Sequence, residues 1–128
     1  MSDDLGFPGQ DGLHEVVSRR WRYAPPPWVI YDAIVDERES WLMLLPGEAA
    51  PAVTRSRRPD IVVLEPWVDP ALSSLAITIE ADGEGSAATF VGRAEHPELD
   101  PDVRRRIRHR LGTTFGAALR EWVDEPHR

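Results

Sequence analysis

The sequence predicts an α+β domain in which helices lie on one face of an antiparallel sheet. Five segments with strand character are separated by turn residues, and a helix of about twenty residues with one apolar stripe closes the chain. The 128 residues are 41% hydrophobic and 29% charged, which suits a single globular core. We therefore expect one domain over residues 13–124, with a flexible leader at 1–12 and a tail at 125–128.

The first strand is predicted over residues 13–23, because alternation places Trp21 and Tyr23 together on one face. The triple proline at 25–27 cannot continue a sheet ladder, but proline suits the first turn of a helix. We expect a helix from Pro26 or Pro27 to about Asp36. Residues 37–41 fit a second, short helical turn.

The middle of the chain predicts a loop and four further strands. Pro46, Gly47 and Pro51 indicate a loop over 42–51. The predicted strands cover residues 52–57, 61–67, 75–80 and 87–94. The last two strands form a hairpin, since residues 82–85 supply an Asp-Gly turn.

The C-terminal helix is predicted from a capping aspartate and a long apolar stripe. Asp100 suits the N-cap and Pro101 the first helical position. The stripe consists of Val103, Ile107, Leu111, Phe115, Ala118, Leu119 and Trp122. Gly112 and Gly116 each cost about 1 kcal/mol against alanine in a helix. We expect them to admit a close sheet, a ligand or a partner helix.

Composition excludes several classes of function. The net charge of −7 disfavours binding to nucleic acid or membrane surfaces, and the absence of cysteine excludes disulfides and thiolate metal sites. The acidic start lacks a signal peptide and no segment is apolar enough to span a membrane, so we expect a cytoplasmic protein. The four histidines lack metal-ligand spacing, and no hydrolase or nucleotide motif is present. We expect no metal and no cofactor, and we identify no catalytic residue.

The arginines at 104–110 are the strongest charge feature. Such a run is typical of the solvated side of a helix whose other side is buried. Binding of an acidic partner or of nucleic acid is the alternative that we consider less favoured.

Residues 23–36, which begin Tyr23-Ala24-Pro25 and are followed by Trp41, resemble the opening of the SRPBCC (START-like, helix-grip) superfamily. The segments 59–67 and 82–90 are similar to a strand and a hairpin of its branch named for the activator of the heat-shock chaperone ATPase. This resemblance covers residues 13–124. The stretch 42–58 is shorter than the two strands that the family usually has there.

The resemblance implies a helix-grip fold, a curved antiparallel sheet wrapped around a long C-terminal helix. It implies binding of a hydrophobic small molecule in a cavity between the sheet and that helix. A protein-partner adaptor or chaperone-associated regulator is the alternative, and an aromatase/cyclase-like enzyme is the third possibility. The partners expected are thus an apolar ligand or, in the adaptor alternative, a protein.

The candidate ligand-binding residues are aromatic or apolar and are predicted to face inward. They are Trp21, Tyr23, Trp41, Trp67, Phe90, Leu111 and Phe115. The candidate polar groups of the pocket are Arg19, Arg55 and Glu65. The alternative for the aromatic residues is ordinary core packing, and for the polar residues it is a paired or solvent-facing position.

Deletion of residues 1–12 should leave the melting temperature nearly unchanged, because this leader has no apolar pattern with which to pack. Thermal denaturation of the truncated and full-length chains tests this expectation. A melting temperature lowered by several degrees would show that the leader is part of the fold.

Overall fold

A computed structural model of the chain describes residues 13–42, 50–65 and 72–124. The α+β class is confirmed: five antiparallel strands form one curved sheet in the order β1-β5-β4-β3-β2. The strands are β1 His14–Tyr23, β2 Val53–Arg57, β3 Ile61–Leu64, β4 Ser74–Asp82 and β5 Gly85–Ala94. The helices are α1 Pro27–Trp41, α2 Pro101–Arg110 and α3 Ala118–Asp124, and a π-helical segment, Leu111–Ala117, joins α2 to α3. We call α2, this segment and α3 together the C-terminal helix.

The predicted hairpin of β4 and β5 is confirmed. Its turn contains Gly83 at φ +63°, a conformation that glycine adopts without steric cost. In β1 the register shifts between Glu15 and Val17, which marks a β-bulge. Regular alternation would place Val16 on the face opposite Val17, but both are buried in the same core because of this bulge.

Helix α1 begins at Pro27 as predicted, but it continues to Trp41 instead of ending near Asp36. The indole of Trp41 donates a hydrogen bond to the carbonyl oxygen of Ala33 at 2.9 Å, which ties the last turns together. Arg38 donates from Nε to the carbonyl oxygen of Pro51 at 2.6 Å. The two side chains donate to backbone carbonyl oxygens within the last turns of α1 and beside them. The helix therefore continues beyond Asp36, where its apolar pattern ends.

Strand β3 ends at Leu64, short of the predicted limit at Trp67. Trp67 lies in the stretch 66–71, outside the described residues, as do the leader 1–12, the stretch 43–49 and the tail 125–128. Between Trp41 and Pro59 the described part of the chain contains one strand, β2.

The main core lies between the sheet and the helices. Its fully buried side chains come from α1, β3, β4, β5 and the C-terminal helix. They are Ile30, Ile34, Val62, Leu64, Leu75, Ile77, Phe90, Ile107, Leu111 and Leu119. A smaller cluster lies on the opposite face of the sheet and contains Ile61, Val63, Ala76 and Val91. No helix in the described part is long and apolar enough to cross a membrane.

The C-terminal helix is hydrogen-bonded to the open edge of β1. Arg104 donates from Nε to the carbonyl oxygen of Val16 at 3.1 Å, and Arg108 donates from Nη1 to that of Ser18 at 3.1 Å. Four helical residues advance about 6 Å and two strand residues about 6.6 Å, so the two spacings match. Arg104 is half-buried, which departs from the expectation of a solvated arginine face, whereas Arg108 is exposed as expected and is bonded to the strand as well.

Arg105 does conform to that expectation. Its guanidinium pairs with Asp102 at 2.7 Å, and both side chains are more than 70% exposed. The pair joins residues of the same helix and makes no link to the sheet. It is expected to contribute little to stability.

Replacing Arg104 and Arg108 together by glutamine should lower the free energy of unfolding by about 1 to 2 kcal/mol, because two carbonyls of β1 lose charged donors. Arg105→Gln, the matched control, should change it by less than about 0.5 kcal/mol. Urea denaturation of the three proteins measures both values. Equal midpoints for the double variant and the wild type would contradict a stabilising contact at this edge.

Candidate functional site

The inner face of β1 presents Trp21 and Tyr23 to the C-terminal helix, since residues two apart in a strand share a face. Two guanidinium groups lie over the indole of Trp21. The Cζ atom of Arg19 is 5.6 Å from the ring centroid, and that of Arg120 is 4.8 Å away. Both distances are within the range of cation–π attraction, so the ring is held at the junction of strand and helix.

The same junction is closed by polar contacts at the end of α3. Arg120 donates from Nε and Nη2 to the carbonyl oxygen of Arg22, at 3.1 and 2.7 Å. The backbone N–H of Ala24 donates to Oδ1 of Asp124 at 3.2 Å. These bonds fasten the last turn of the chain's last helix to the end of β1.

Gly112 and Gly116 allow the C-terminal helix to approach β1 closely. A β-carbon at Gly116 would collide with the indole of Trp21, and one at Gly112 would lie 2.9 Å from Nη1 of Arg19. Both glycines lie in the π-helical segment, a feature that occurs often at functional sites. Of the three explanations offered for these glycines, the structure shows a close sheet.

Two buried polar atoms at this junction have no hydrogen-bond partner among the described residues, the indole Nε1 of Trp21 and the hydroxyl of Tyr23. Tyr23 is only 4% exposed. Burial raises the pKa of the Tyr23 phenol well above its usual value; Arg120 lowers it and Asp124 raises it by smaller amounts. The phenol is therefore neutral, and it offers an unused donor in an apolar setting.

The other apolar candidates have mixed positions. Phe90 and Leu111 are fully buried in the same core as Tyr23. Trp41 is 7% exposed, and its indole is already bonded within α1. The side chain of Phe115 lies outside what the structure describes, although its backbone belongs to the π-helical segment.

The polar candidates separate into one half-buried residue at the junction and two exposed residues. Arg19 contacts Trp21 and donates from Nη1 to the carbonyl oxygen of Arg108 at 3.2 Å. Arg55 pairs in register with Val63, on the sheet face away from the helices, and is exposed. Glu65 is exposed and accepts a bond from the backbone N–H of Ala52 at 3.0 Å. Arg55 and Glu65 therefore occupy the solvent-facing positions that were the alternative for the polar candidates.

Sequence reasoning missed Arg120 and Asp124, which complete the junction. Neither residue stands in a motif, and their partners Arg22 and Ala24 are about a hundred residues away along the chain. The sequence feature that could have pointed to this side of the helix was the pair of glycines, Gly112 and Gly116. Gly116 lies one helical turn before Arg120, so the two residues occupy the same side of the helix.

No protein-family model and no curated protein sequence matches this chain, whereas solved structures do. The solution structure of the Aha1 dimer from Colwellia psychrerythraea matches with a TM-score of 0.60 at 12% identity, over 88% of this chain and 98% of that one. CalU16 from Micromonospora echinospora matches with a TM-score of 0.58 at 13% identity, over 89% of this chain and 84% of that one. The AHSA1-like protein from Rhizobium etli matches with a TM-score of 0.59 at 14% identity, over 84% of this chain and 81% of that one.

The chain has the helix-grip fold. The resemblance that residues 23–36 carry to the SRPBCC superfamily is confirmed at the level of the fold, and two of these neighbours bear the name of the predicted branch. At identities of 12 to 14% the likeness extends to the fold alone. The shared fold does not assign a function to this helix-grip domain, so its function must be inferred from its own residues.

The polar groups of this helix-grip domain do not resemble a metal site. Within the ranges that the structure describes, no group of three histidine or acidic side chains is placed to hold a metal ion. The junction combines two guanidinium groups with the neutral donors of Trp21 and Tyr23. Such a set can donate hydrogen bonds to an acceptor, and it has few oxygens with which to bind a cation.

Gly116→Ala should destabilise the protein by about 1 to 2 kcal/mol, because the added methyl meets the fixed indole of Trp21 and this outweighs the gain in helix propensity. Gly112→Ala meets only the flexible end of Arg19, so it should be neutral or stabilising by up to about 1 kcal/mol. Chemical denaturation measures the free energy of unfolding of both variants. The same sign for the two variants would refute this account of the interface.

Proposed function

We propose that the protein binds an apolar small molecule carrying a hydrogen-bond acceptor, between the inner face of the sheet and the C-terminal helix. The observation that carries this proposal is the pair of buried donors without partners, Nε1 of Trp21 and the hydroxyl of Tyr23. An unsatisfied buried polar group costs about 1 to 3 kcal/mol, so its presence calls for an explanation. A bound acceptor would remove that cost.

Each donor suits a ligand that carries a hydrogen-bond acceptor. The phenol of Tyr23 stays neutral because burial raises its pKa, and an indole N–H donates but cannot accept. The nearby guanidinium groups of Arg19 and Arg120 favour an acceptor with negative charge, such as a carboxylate. Phe90 and Leu111 supply apolar surface in the same core. An amphipathic acid meets all of these conditions.

The ligand would enter by separating α3 from β1. The polar contacts that close this junction are hydrogen bonds of exposed groups of Arg120 and Asp124, which water can replace at small cost. The π-helical segment lies directly before α3, where an irregular helix bends more easily than a regular one. The junction can therefore open while α2 stays bonded to β1.

Burial of an alkyl chain supplies enough free energy for this binding. About ten methylene groups at about 0.8 kcal/mol each give roughly 8 kcal/mol, the value for a micromolar Kd before the cost of association. Trp21, Tyr23, Phe90, Leu111 and Arg19 are the residues we assign to the site. Phe115 and Trp67 stay predictions. We place this activity in the cytoplasm, in keeping with the cysteine-free chain.

Tyr23→Phe should have opposite effects on stability and on binding. Removing the unpartnered hydroxyl should raise the free energy of unfolding by roughly 1 kcal/mol, and it should weaken the binding of decanoate several-fold. Tyr31→Phe is the matched control, since its hydroxyl is not among the unpartnered buried groups of the described residues. Urea denaturation and calorimetric titration with decanoate measure the two effects.

Three results would count against the proposal. Tyr23→Phe could lower stability, which would show that the hydroxyl has a partner in the free protein. It could leave decanoate binding unchanged, which would place the acceptor elsewhere. If neither decanoate nor decanol bound the wild type, the interior would be closed, and the protein-partner adaptor would become the better explanation.

A further inference from the structure

A second concave site lies between α1 and α3, apart from the junction of β1 with the C-terminal helix. It is a groove of about 310 Å³. Its lining consists of two tryptophans, two acidic residues and three small apolar residues among those described. The lining residues are Trp28, Val29, Asp32, Ala33 and Glu37 from α1, with Trp122 and Val123 from α3.

Trp28 is the exposed wall of this groove. It is 53% exposed and is the one large apolar side chain in the described residues that stands so open. It follows directly on the prolines at 25–27, which restrict the backbone at the start of α1. Ala33 and Val123, by contrast, are buried. The ring of Trp28 is thus presented to solvent on a rigid segment beside a packed surface.

Trp122 and Glu37 fix the other wall. The indole N–H of Trp122 donates to Oε1 of Glu37 at 2.8 Å. This bond orients the ring and the carboxylate, and because the donor is neutral it leaves the negative charge of Glu37 in place. Among the described residues Glu37 forms no ion pair.

The groove has an excess of negative charge. Asp32 is the second carboxylate, and it accepts two bonds from Arg58, at 3.2 and 3.1 Å. Arg38 of α1 donates to backbone carbonyl oxygens of its own helix and to that of Pro51, and Arg120 of α3 donates to that of Arg22. Among the described residues, no arginine lines the groove itself. The charge of Glu37 is therefore available to a ligand.

We propose that this groove binds a small organic ammonium ion. Tryptophan faces attract alkylammonium groups, and an adjacent carboxylate adds charge attraction that a neutral apolar ligand would not use. Two carboxylates beside two indoles offer too few oxygens for a calcium or magnesium ion. The volume is near the lower end for small-molecule pockets, which suits an ammonium group with a few carbons.

The test uses tetramethylammonium chloride as the probe and sodium chloride at equal ionic strength as the reference. In ¹⁵N-edited NMR spectra, the indole N–H signals of Trp28 and Trp122 should shift saturably with tetramethylammonium and not with sodium. Trp28→Ala and Glu37→Gln should each raise the apparent Kd for tetramethylammonium about tenfold. Glutamine keeps an acceptor for Trp122, so this variant removes the charge alone. Glu39→Gln, an exposed site on α1 outside the groove, should bind like the wild type.

Several outcomes would overturn this inference. Equal shifts with the two salts would reduce it to an ionic-strength effect, and wild-type affinity in folded Glu37→Gln would remove the role of the carboxylate. Binding of a penta-arginine peptide without binding of tetramethylammonium would identify a protein-docking surface instead. If Trp28→Ala did not fold, Glu37→Gln would decide the question by itself.

Discussion

The hydrogen bonds from arginines of the C-terminal helix to the open edge of β1 are the constraint on which the rest of the structure depends. An edge strand leaves carbonyl oxygens without a neighbouring strand, and here Arg104 and Arg108 supply donors to Val16 and Ser18. Arg120 does the same for Arg22 near the other end of β1. The helix is thereby held alongside the strand, which also blocks pairing of this edge with another chain.

This placement of the helix creates the candidate ligand site. Once the helix lies along β1, its inner side must pass over Arg19 and Trp21. Only glycine fits at position 116 against the indole, whereas position 112 lies against the flexible end of Arg19. The close approach buries the polar ends of Trp21 and Tyr23 without giving them partners. Such a loss of stability at one place is typical of functional sites, since a sequence selected for stability alone would have phenylalanine at position 23.

The two sites that we propose lie on different sides of α3 and have opposite polarity. The junction with β1 combines neutral donors with the guanidinium groups of Arg19 and Arg120, which favours an acidic acceptor. The groove against α1 combines indole rings with the carboxylates of Asp32 and Glu37, which favours a cation. The chain carries a net charge of −7, and six of its fifteen arginines lie in the C-terminal helix. The polarity of each site follows from whether arginines line it.

The sequence by itself determined the elements whose patterns are local. Asp100 and Pro101 marked the start of α2, the Asp-Gly turn marked the hairpin of β4 and β5, and the resemblance of residues 23–36 indicated the helix-grip fold. Each of these depends on residues close together in the chain. The inward positions of Tyr23 and Phe90 also followed from strand alternation.

Only the tertiary structure decided which residues meet across the chain. Arg104 reaches a carbonyl 88 residues away, Trp122 pairs with a carboxylate 85 residues away, and Arg55 faces the outer side because β2 pairs with β3 in one particular register. A one-residue slip in that register would reverse the face of every side chain in the strand. Partners of arginines and the register of strands are set by packing between distant segments, and no local pattern in the sequence contains that information.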